Sequence, residues 1–156
     1  MRRTSATGIS GFTLIEILVV VAITGIILAV AVVNLFPDER QAARRDSGVL
    51  ALAIERSRDA AWFGGRPVAL GFDEGYLRAW RLQGDEWQPD ASREQRLDPT
   101  VHVTAIYVDG QPLKANEHLV FLPDGLGIPF RISLEAHGFP WAIEGDAAGA
   151  VKLSEG

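Results

Sequence analysis

The most apolar stretch of the chain runs from Ile17 to Val33, and only two of its residues are not clearly apolar. Two further apolar residues just beyond it extend the stretch to the roughly 20 residues that a bilayer-spanning helix needs. Residues 1–11, which precede it, are polar and basic. Positive charge in front of an apolar run holds that end of a chain in the cytoplasm. The pattern predicts a leader at residues 1–11 and one transmembrane helix at residues 12–36.

A second helical pattern follows directly, at residues 37–63. Its apolar residues recur at spacings of seven, four and seven, which places them on one helical face: Ala43, Leu50, Ile54 and Ala61. Gly64 and Gly65 then supply a C-terminal stop. Because no strong helix breaker lies between Asp38 and this stop, we predict that residues 37–63 are the amphipathic continuation of a single helix from Phe12 to Trp62.

After Gly65 the pattern changes to short alternating runs separated by turn residues. Residues 83–99 are polar and are predicted to form a long loop. The predicted fold class is therefore α+β, in which the long N-terminal helix packs on an antiparallel β domain of residues 64–156. The predicted strands are Pro67–Phe72, Tyr76–Leu82, Val101–Val108, His118–Leu122, Phe130–Glu135, Trp141–Glu144 and, more weakly, Val151–Leu153.

One acidic residue, Glu16, lies near the start of the apolar stretch. A carboxylate costs about 2.5–3.5 kcal/mol at the centre of a membrane helix and less near the interface. A cation at the same depth offsets this cost, and cleavage after Gly11 would create one, the free amine of Phe12. In one chain that amine lies one turn from Glu16. Between packed subunits, the amine of one chain can meet the carboxylate of the next and so set their axial register.

The residues Gly11-Phe12-Thr13-Leu14-Ile15-Glu16 resemble the processing motif of type IV pilins and type II secretion pseudopilins. In that family a prepilin peptidase cuts after the glycine and methylates the new N-terminal phenylalanine. The resemblance implies cleavage between Gly11 and Phe12, N-methylation of Phe12 and an assembly role for Glu16. The chain departs from the family at Val33, where the family often has a helix-bending proline.

The resemblance continues into the β domain. The segment from Ser57 to Leu70 is similar to the helix end and first strand of the GspH/FimT group of pseudopilins. Residues 108–113, and residues 123–125 followed by 129–134, look like the H-type minor pseudopilin of type II secretion. These similarities imply a pilin-like structural subunit and no enzyme. They place it near the tip of a periplasmic pseudopilus that drives export of folded proteins across the outer membrane.

The implied partners are the other minor pseudopilins, the major pseudopilin, the prepilin peptidase and the inner membrane. The implied location is single-pass in the inner membrane, with the C-terminal domain in the periplasm. A type IV pilus minor pilin of the FimT kind, which takes up DNA, is the alternative. The formal net charge of −5 falls to −7 once the two arginines of the leader are removed, so nucleic acid is not an expected partner.

Two other interpretations of the N-terminus remain open. Ala29-Val30-Ala31 resembles a signal-peptidase site after an apolar stretch. Glu16 interrupts the apolar region that begins at Phe12, however, and an amphipathic helix follows that region. The second interpretation is a plain anchor that is not cleaved, but it gives Glu16 no role. Such an anchor could carry a periplasmic enzyme, but the sequence holds none of the common catalytic motifs.

The polar and aromatic residues of the β domain suggest no cofactor or metal site. The three histidines His102, His118 and His137 have no metal-ligand spacing. The adjacent carboxylates Asp38 and Glu39 are expected to be solvated or to start a helix. Three of the four tryptophans, Trp62, Trp80 and Trp141, are predicted to pack in the core. The fourth, Trp87, lies in the polar segment and is the predicted partner contact.

Overall fold

The chain forms two compact units, Met1–Pro37 and Asp38–Gly156. The first unit contains helix α1 (Leu14–Leu35), and the second contains helix α2 (Glu39–Gly64) and all the strands of the described chain. The computed structural model describes residues 13–35, 38–73, 75–114 and 116–156.

Helix α1 spans Leu14–Leu35. The one hydroxyl that interrupts its apolar surface is satisfied inside the helix, because Thr24 Oγ1 donates a hydrogen bond of 2.8 Å to the carbonyl oxygen of Val20. The large apolar side chains of residues 14–29 are exposed. Among the described residues, no helix meets the combined length and hydropathy that a membrane crossing requires.

Helix α2 spans Glu39–Gly64 and begins with its own N-cap. Asp38 has extended backbone, and its carboxylate accepts a hydrogen bond of 3.1 Å from the backbone N–H of Arg40. The sequence predicts one continuous helix from Phe12 to Trp62, whereas the structure gives two helices. The prediction is wrong on this point because Asp38 caps a new helix. At the other end, Gly65 has a φ of +63° and terminates α2 as predicted.

Within the described residues, ten antiparallel strands form two sheets. The strands are β1 Val68–Asp73, β2 Tyr76–Gln83, β3 Glu86–Pro89, β4 Gln95–Arg96, β5 Val101–Val108, β6 Gln111–Pro112, β7 Leu119–Phe121, β8 Phe130–Ala136, β9 Phe139–Gly145 and β10 Val151–Glu155. The first sheet has the order β3-β2-β1-β7, with β4 also paired to β2, and the second has the order β10-β9-β8-β5-β6.

The core lies between α2 and the two sheets. Helix α2 contacts β1 and β7 of the first sheet and β5, β8, β9 and β10 of the second. The four residues predicted to form its apolar face are all buried, which confirms that face. Burial of one helical face against both sheets explains why the helix and the strands form a single unit. The residues buried most completely include Leu50, Ile54, Leu70, Leu119, Ile132 and Ile143.

The polar segment at residues 83–99 is not a loop throughout. It contains β3, a short 3-10 helix at Ala91–Arg93 and β4, so the loop prediction is wrong there. A buried carboxylate holds the segment: Asp90 Oδ2 lies 3.0 Å from Nε of Arg81 and 3.0 Å from Nε of Arg93. Ser92 Oγ donates a hydrogen bond of 2.6 Å to Asp90 Oδ1. The contact with Arg81, which lies on β2, attaches the segment to that strand.

Substitution of Asp90 is expected to destabilise the domain in a pH-dependent way. Burial alone would raise the pKa of Asp90, but Ser92 and the two arginines outweigh it and hold that pKa below its ordinary value. A carboxylate whose pKa is lower in the folded state than in the unfolded state stabilises the protein at pH values above its ordinary pKa of 3.8. This stabilisation is lost as the pH falls through the folded-state pKa. We expect Asp90→Asn to reduce the free energy of unfolding by about 1–2 kcal/mol at pH 7.

The measurement is urea unfolding at several pH values. The stability difference between wild type and Asp90→Asn should shrink as the pH falls below 3.8. Asp85→Asn is the control, since Asp85 is an exposed carboxylate of the same segment. A loss of stability that is the same at every pH, or equal in the control, would contradict this role for Asp90.

Candidate functional site

The described part of the predicted processing segment begins at Thr13. The backbone N–H of Glu16 donates a hydrogen bond of 3.0 Å to the Thr13 carbonyl, so Glu16 lies in the first turn of α1. Its side chain is exposed. A carboxylate in the first turn also interacts favourably with the helix dipole, which gives Glu16 a local stabilising role whatever else it does. Gly11 and Phe12 lie outside the described residues.

A surface groove lies on the outer face of the first sheet. The rings of Trp80 and His118 meet edge to face with their centroids 4.4 Å apart. A Cβ atom at Gly71 would come within 3.0 Å of both rings. Because glycine has no Cβ atom, the two rings can pack against the backbone at this position. Trp87, which is 44% exposed, borders the same groove of about 460 Å³. The remaining lining residues are Ala69, Leu113, Glu117 and Val120.

The geometry separates the four tryptophans. Trp141 is buried in the core, and Trp62 is partly buried against it, as predicted. Trp80 lines the groove instead of packing in the core, so the core prediction is wrong for that residue. Its neighbours along β2 alternate between the two faces of the sheet, and its position falls on the outer face. The partner contact at Trp87 stays a prediction.

The N-terminal sequence and the fold each match known proteins. The prokaryotic N-terminal methylation motif matches residues 8–32. The structure is similar to that of the minor pseudopilin EpsH from the type 2 secretion system of Vibrio cholerae, with a TM-score of 0.57 and 19% identity over 76% of this chain and 98% of that one. The chain has a pseudopilin-like fold.

A crystal structure of the same Vibrio cholerae protein gives a TM-score of 0.55 and 16% identity, over 75% of this chain and 97% of that one. No curated protein matches this chain in sequence. The pseudopilin fold and the methylation motif together confirm the predicted prepilin-like N-terminus and the α+β fold class.

Three polar side chains that are far apart in sequence come together on this pseudopilin fold. His137 Nε2 lies 2.7 Å from Asp46 Oδ2, and Asp98 lies beside them. The donor atoms of the three residues all lie within 4.8 Å of one another. The sequence does not predict this cluster, because its members lie on separate elements and no local spacing connects them. Pairing of β5 with β8 brings Asp98 and His137 together, and packing of α2 on the sheets adds Asp46.

The Asp98 carboxylate is held in a defined orientation. Its Oδ1 accepts hydrogen bonds from the backbone N–H and the hydroxyl of Thr100, at 2.9 and 2.6 Å. The Thr100 hydrogen bonds, together with the charge of His137, hold the pKa of Asp98 below its ordinary value although burial opposes this. Asp98 is therefore a charged oxygen donor near neutral pH.

The adjacent carboxylates near the helix start have no acid–base geometry between them. Asp38 caps α2, and Glu39 lies in its first turn. Acidic residues at these positions stabilise a helix through its unpaired N–H groups and its dipole. The expectation that these two residues start a helix is confirmed.

Proposed function

We propose that this chain is a minor pseudopilin of a type II secretion system, of the H type. Prepilin peptidase cleaves it after Gly11 and methylates Phe12. Residues 12–36 then anchor it in the inner membrane, and the β domain lies in the periplasm. The observation that carries the proposal is the combination of a methylation motif at residues 8–32 with a fold similar to that of EpsH.

Its role is structural. The chain takes a place near the tip of a pseudopilus, in contact with other minor pseudopilins and with the major pseudopilin, and the filament drives folded proteins across the outer membrane. The exposed apolar side chains of α1 support packing against lipid or neighbouring subunits. The chain itself performs no chemistry in this role.

Glu16 sets the register of assembly in this proposal. Its carboxylate lies in an apolar setting in the first turn of α1, and the amine of Phe12 exists only after cleavage. A neighbouring subunit's amine would neutralise Glu16 without exposing the charge to lipid. A subunit that uses this pairing has a neighbour along the filament, which supports a position below the extreme tip.

The test is Glu16→Ala in cells. The variant should still insert, because the substitution removes a desolvation cost, and should still be cleaved, because the cut lies four residues away. It should lose most crosslinks to the other pseudopilins and most exoprotein secretion. Normal assembly and secretion would contradict the register role of Glu16 but leave the pseudopilin assignment in place.

The matched control is Glu39→Ala. Glu39 is also an exposed glutamate in the first turn of a helix, so its removal changes the local helix interactions in the same way. This control should crosslink and secrete as the wild type does. A complementation experiment separates the two candidate systems. If the wild-type chain restores pilus assembly and not secretion in a strain that lacks its gene, the result would favour the type IV minor pilin.

A further inference from the structure

The cluster of Asp46, Asp98 and His137 joins three separate parts of the domain. Asp46 lies on α2, Asp98 lies between β4 and β5, and His137 lies in the turn between β8 and β9. His137 has a φ of +51° and Gly138 a φ of +79°, so both residues form a tight turn. The turn fixes the backbone position from which the His137 side chain extends. The three side chains therefore reach one point from three directions.

The donor set suits a divalent transition-metal ion. It offers one imidazole nitrogen and two carboxylate oxygens, all within 4.8 Å of one another. A mixed nitrogen and oxygen set of this kind is typical of Zn²⁺ and its neighbours, whereas Ca²⁺ and Mg²⁺ prefer oxygen donors alone. An ion held by the three donors would replace the direct contact of 2.7 Å between His137 Nε2 and Asp46 Oδ2. The side chains of His137 and Asp46 are 22% and 31% exposed, which leaves an entry path and a position for water.

An ion pair alone accounts for only part of this arrangement. A protonated His137 neutralises one carboxylate, and the contact with Asp46 is then a simple salt bridge. Asp98 brings a second negative charge to the same point, so the cluster keeps a net charge of −1 even when the imidazole is protonated. A divalent cation between the three donors balances both carboxylates and leaves the imidazole neutral, which is the form that binds metals.

We propose that Asp46, Asp98 and His137 form a binding site for one Zn²⁺-like divalent transition-metal ion. The ion connects α2 to the β8–β9 turn and to the segment before β5. Since the ligands belong to different elements and converge only in the folded domain, binding stabilises the folded state over the unfolded state.

The test uses the full chain in detergent after treatment with a chelator. Calorimetric titration with Zn²⁺ should give one ion per chain. Saturating Zn²⁺ should raise the melting temperature by several degrees, roughly 5 °C, as expected when an ion binds only the folded state. Absence of saturable binding at one ion per chain overturns the proposal.

Three ligand variants and one control locate the site. His137→Asn removes the imidazole but keeps a residue that tolerates positive φ, and Asp46→Asn and Asp98→Asn remove the two charges. Each should weaken Zn²⁺ binding at least about tenfold. His118→Asn removes a histidine outside the cluster and should bind as the wild type does. Equal affinity in His137→Asn and wild type overturns the assignment of this site.

Two further measurements keep the proposal testable if a variant fails to fold. In the wild-type protein, the NMR signals of the His137 imidazole should shift on addition of Zn²⁺, and those of His102 and His118 should not. Ca²⁺ should raise the melting temperature much less than Zn²⁺. Shifts confined to the other histidines, or an equal effect of Ca²⁺, overturn the transition-metal site.

Discussion

Leu50→Asp is expected to unfold the domain formed by residues 38–156. Leu50 is 1% exposed and lies in the middle of the buried face of α2. The substitution removes the contacts of a buried leucine, which costs about 2–5 kcal/mol, and buries an unpaired carboxylate at further cost. The sum is comparable with the whole stability of a typical domain, about 5–15 kcal/mol. The cooperative thermal transition should disappear.

The same substitution two residues later provides the control. Leu52 is 44% exposed on the same helix, so Leu52→Asp places an identical side chain in water. It should change the free energy of unfolding by no more than about 1 kcal/mol. Tryptophan fluorescence and near-ultraviolet circular dichroism of the detergent-solubilised chain measure both variants.

A second buried position tests whether the effect belongs to the face or to one residue. Ile54 is fully buried one turn after Leu50, and Ile54→Asp should also abolish the transition. If Leu50→Asp and Ile54→Asp both melt at the wild-type temperature, the assignment of the buried face of α2 is wrong. Unfolding by Leu52→Asp as well would indicate that the helix tolerates no acidic residue there.

Gly11→Leu is expected to abolish processing almost completely. The methylation motif covers residues 8–32, and the proposed cut lies directly after Gly11. Intact-mass analysis of wild-type protein extracted from membranes should show a chain that begins at Phe12 and carries one added methyl group. The Gly11→Leu variant should retain the whole leader and remain in the membrane without entering the filament.

The matched control for Gly11→Leu is Gly8→Leu. It makes the same change inside the leader, three residues before the proposed cut. Its mature chain should have the wild-type mass, because the peptidase cuts at the second glycine. A wild-type chain that begins at Val32 would instead support cleavage by signal peptidase after Ala29-Val30-Ala31, and this would also remove Glu16 from the mature protein.

Patterns of burial made much of the domain predictable. Strand β5 has the predicted bounds, Val101–Val108, and β8 extends one residue beyond its prediction. In β8, buried and more exposed residues alternate strictly, as expected for a strand with one face on the core. The buried face of α2 follows the same logic with helical spacing. These elements can be predicted from the sequence because burial of one face requires apolar residues at a regular spacing.

Elements without a buried face gave no such signal. All four residues of β3 are exposed, so its sequence has no apolar alternation to mark it as a strand. It forms because β2 offers a free edge and because Asp90 holds the following segment through two arginines. The break at Asp38 was missed for a related reason, since the apolar face of α2 indicates that a helix exists but not where it begins.

The prepilin-like N-terminus, the apolar stretch, the buried face of α2 and the α+β class can all be predicted from the amino-acid sequence. These features are local: a processing motif occupies consecutive residues, and helical or strand periodicity appears within one element. The position of Trp80 in a surface groove and the convergence of Asp46, Asp98 and His137 become visible in the folded domain alone. Those contacts depend on which strands pair and on how α2 crosses them. Residues up to 91 positions apart meet there, and no short-range pattern in the chain specifies that meeting.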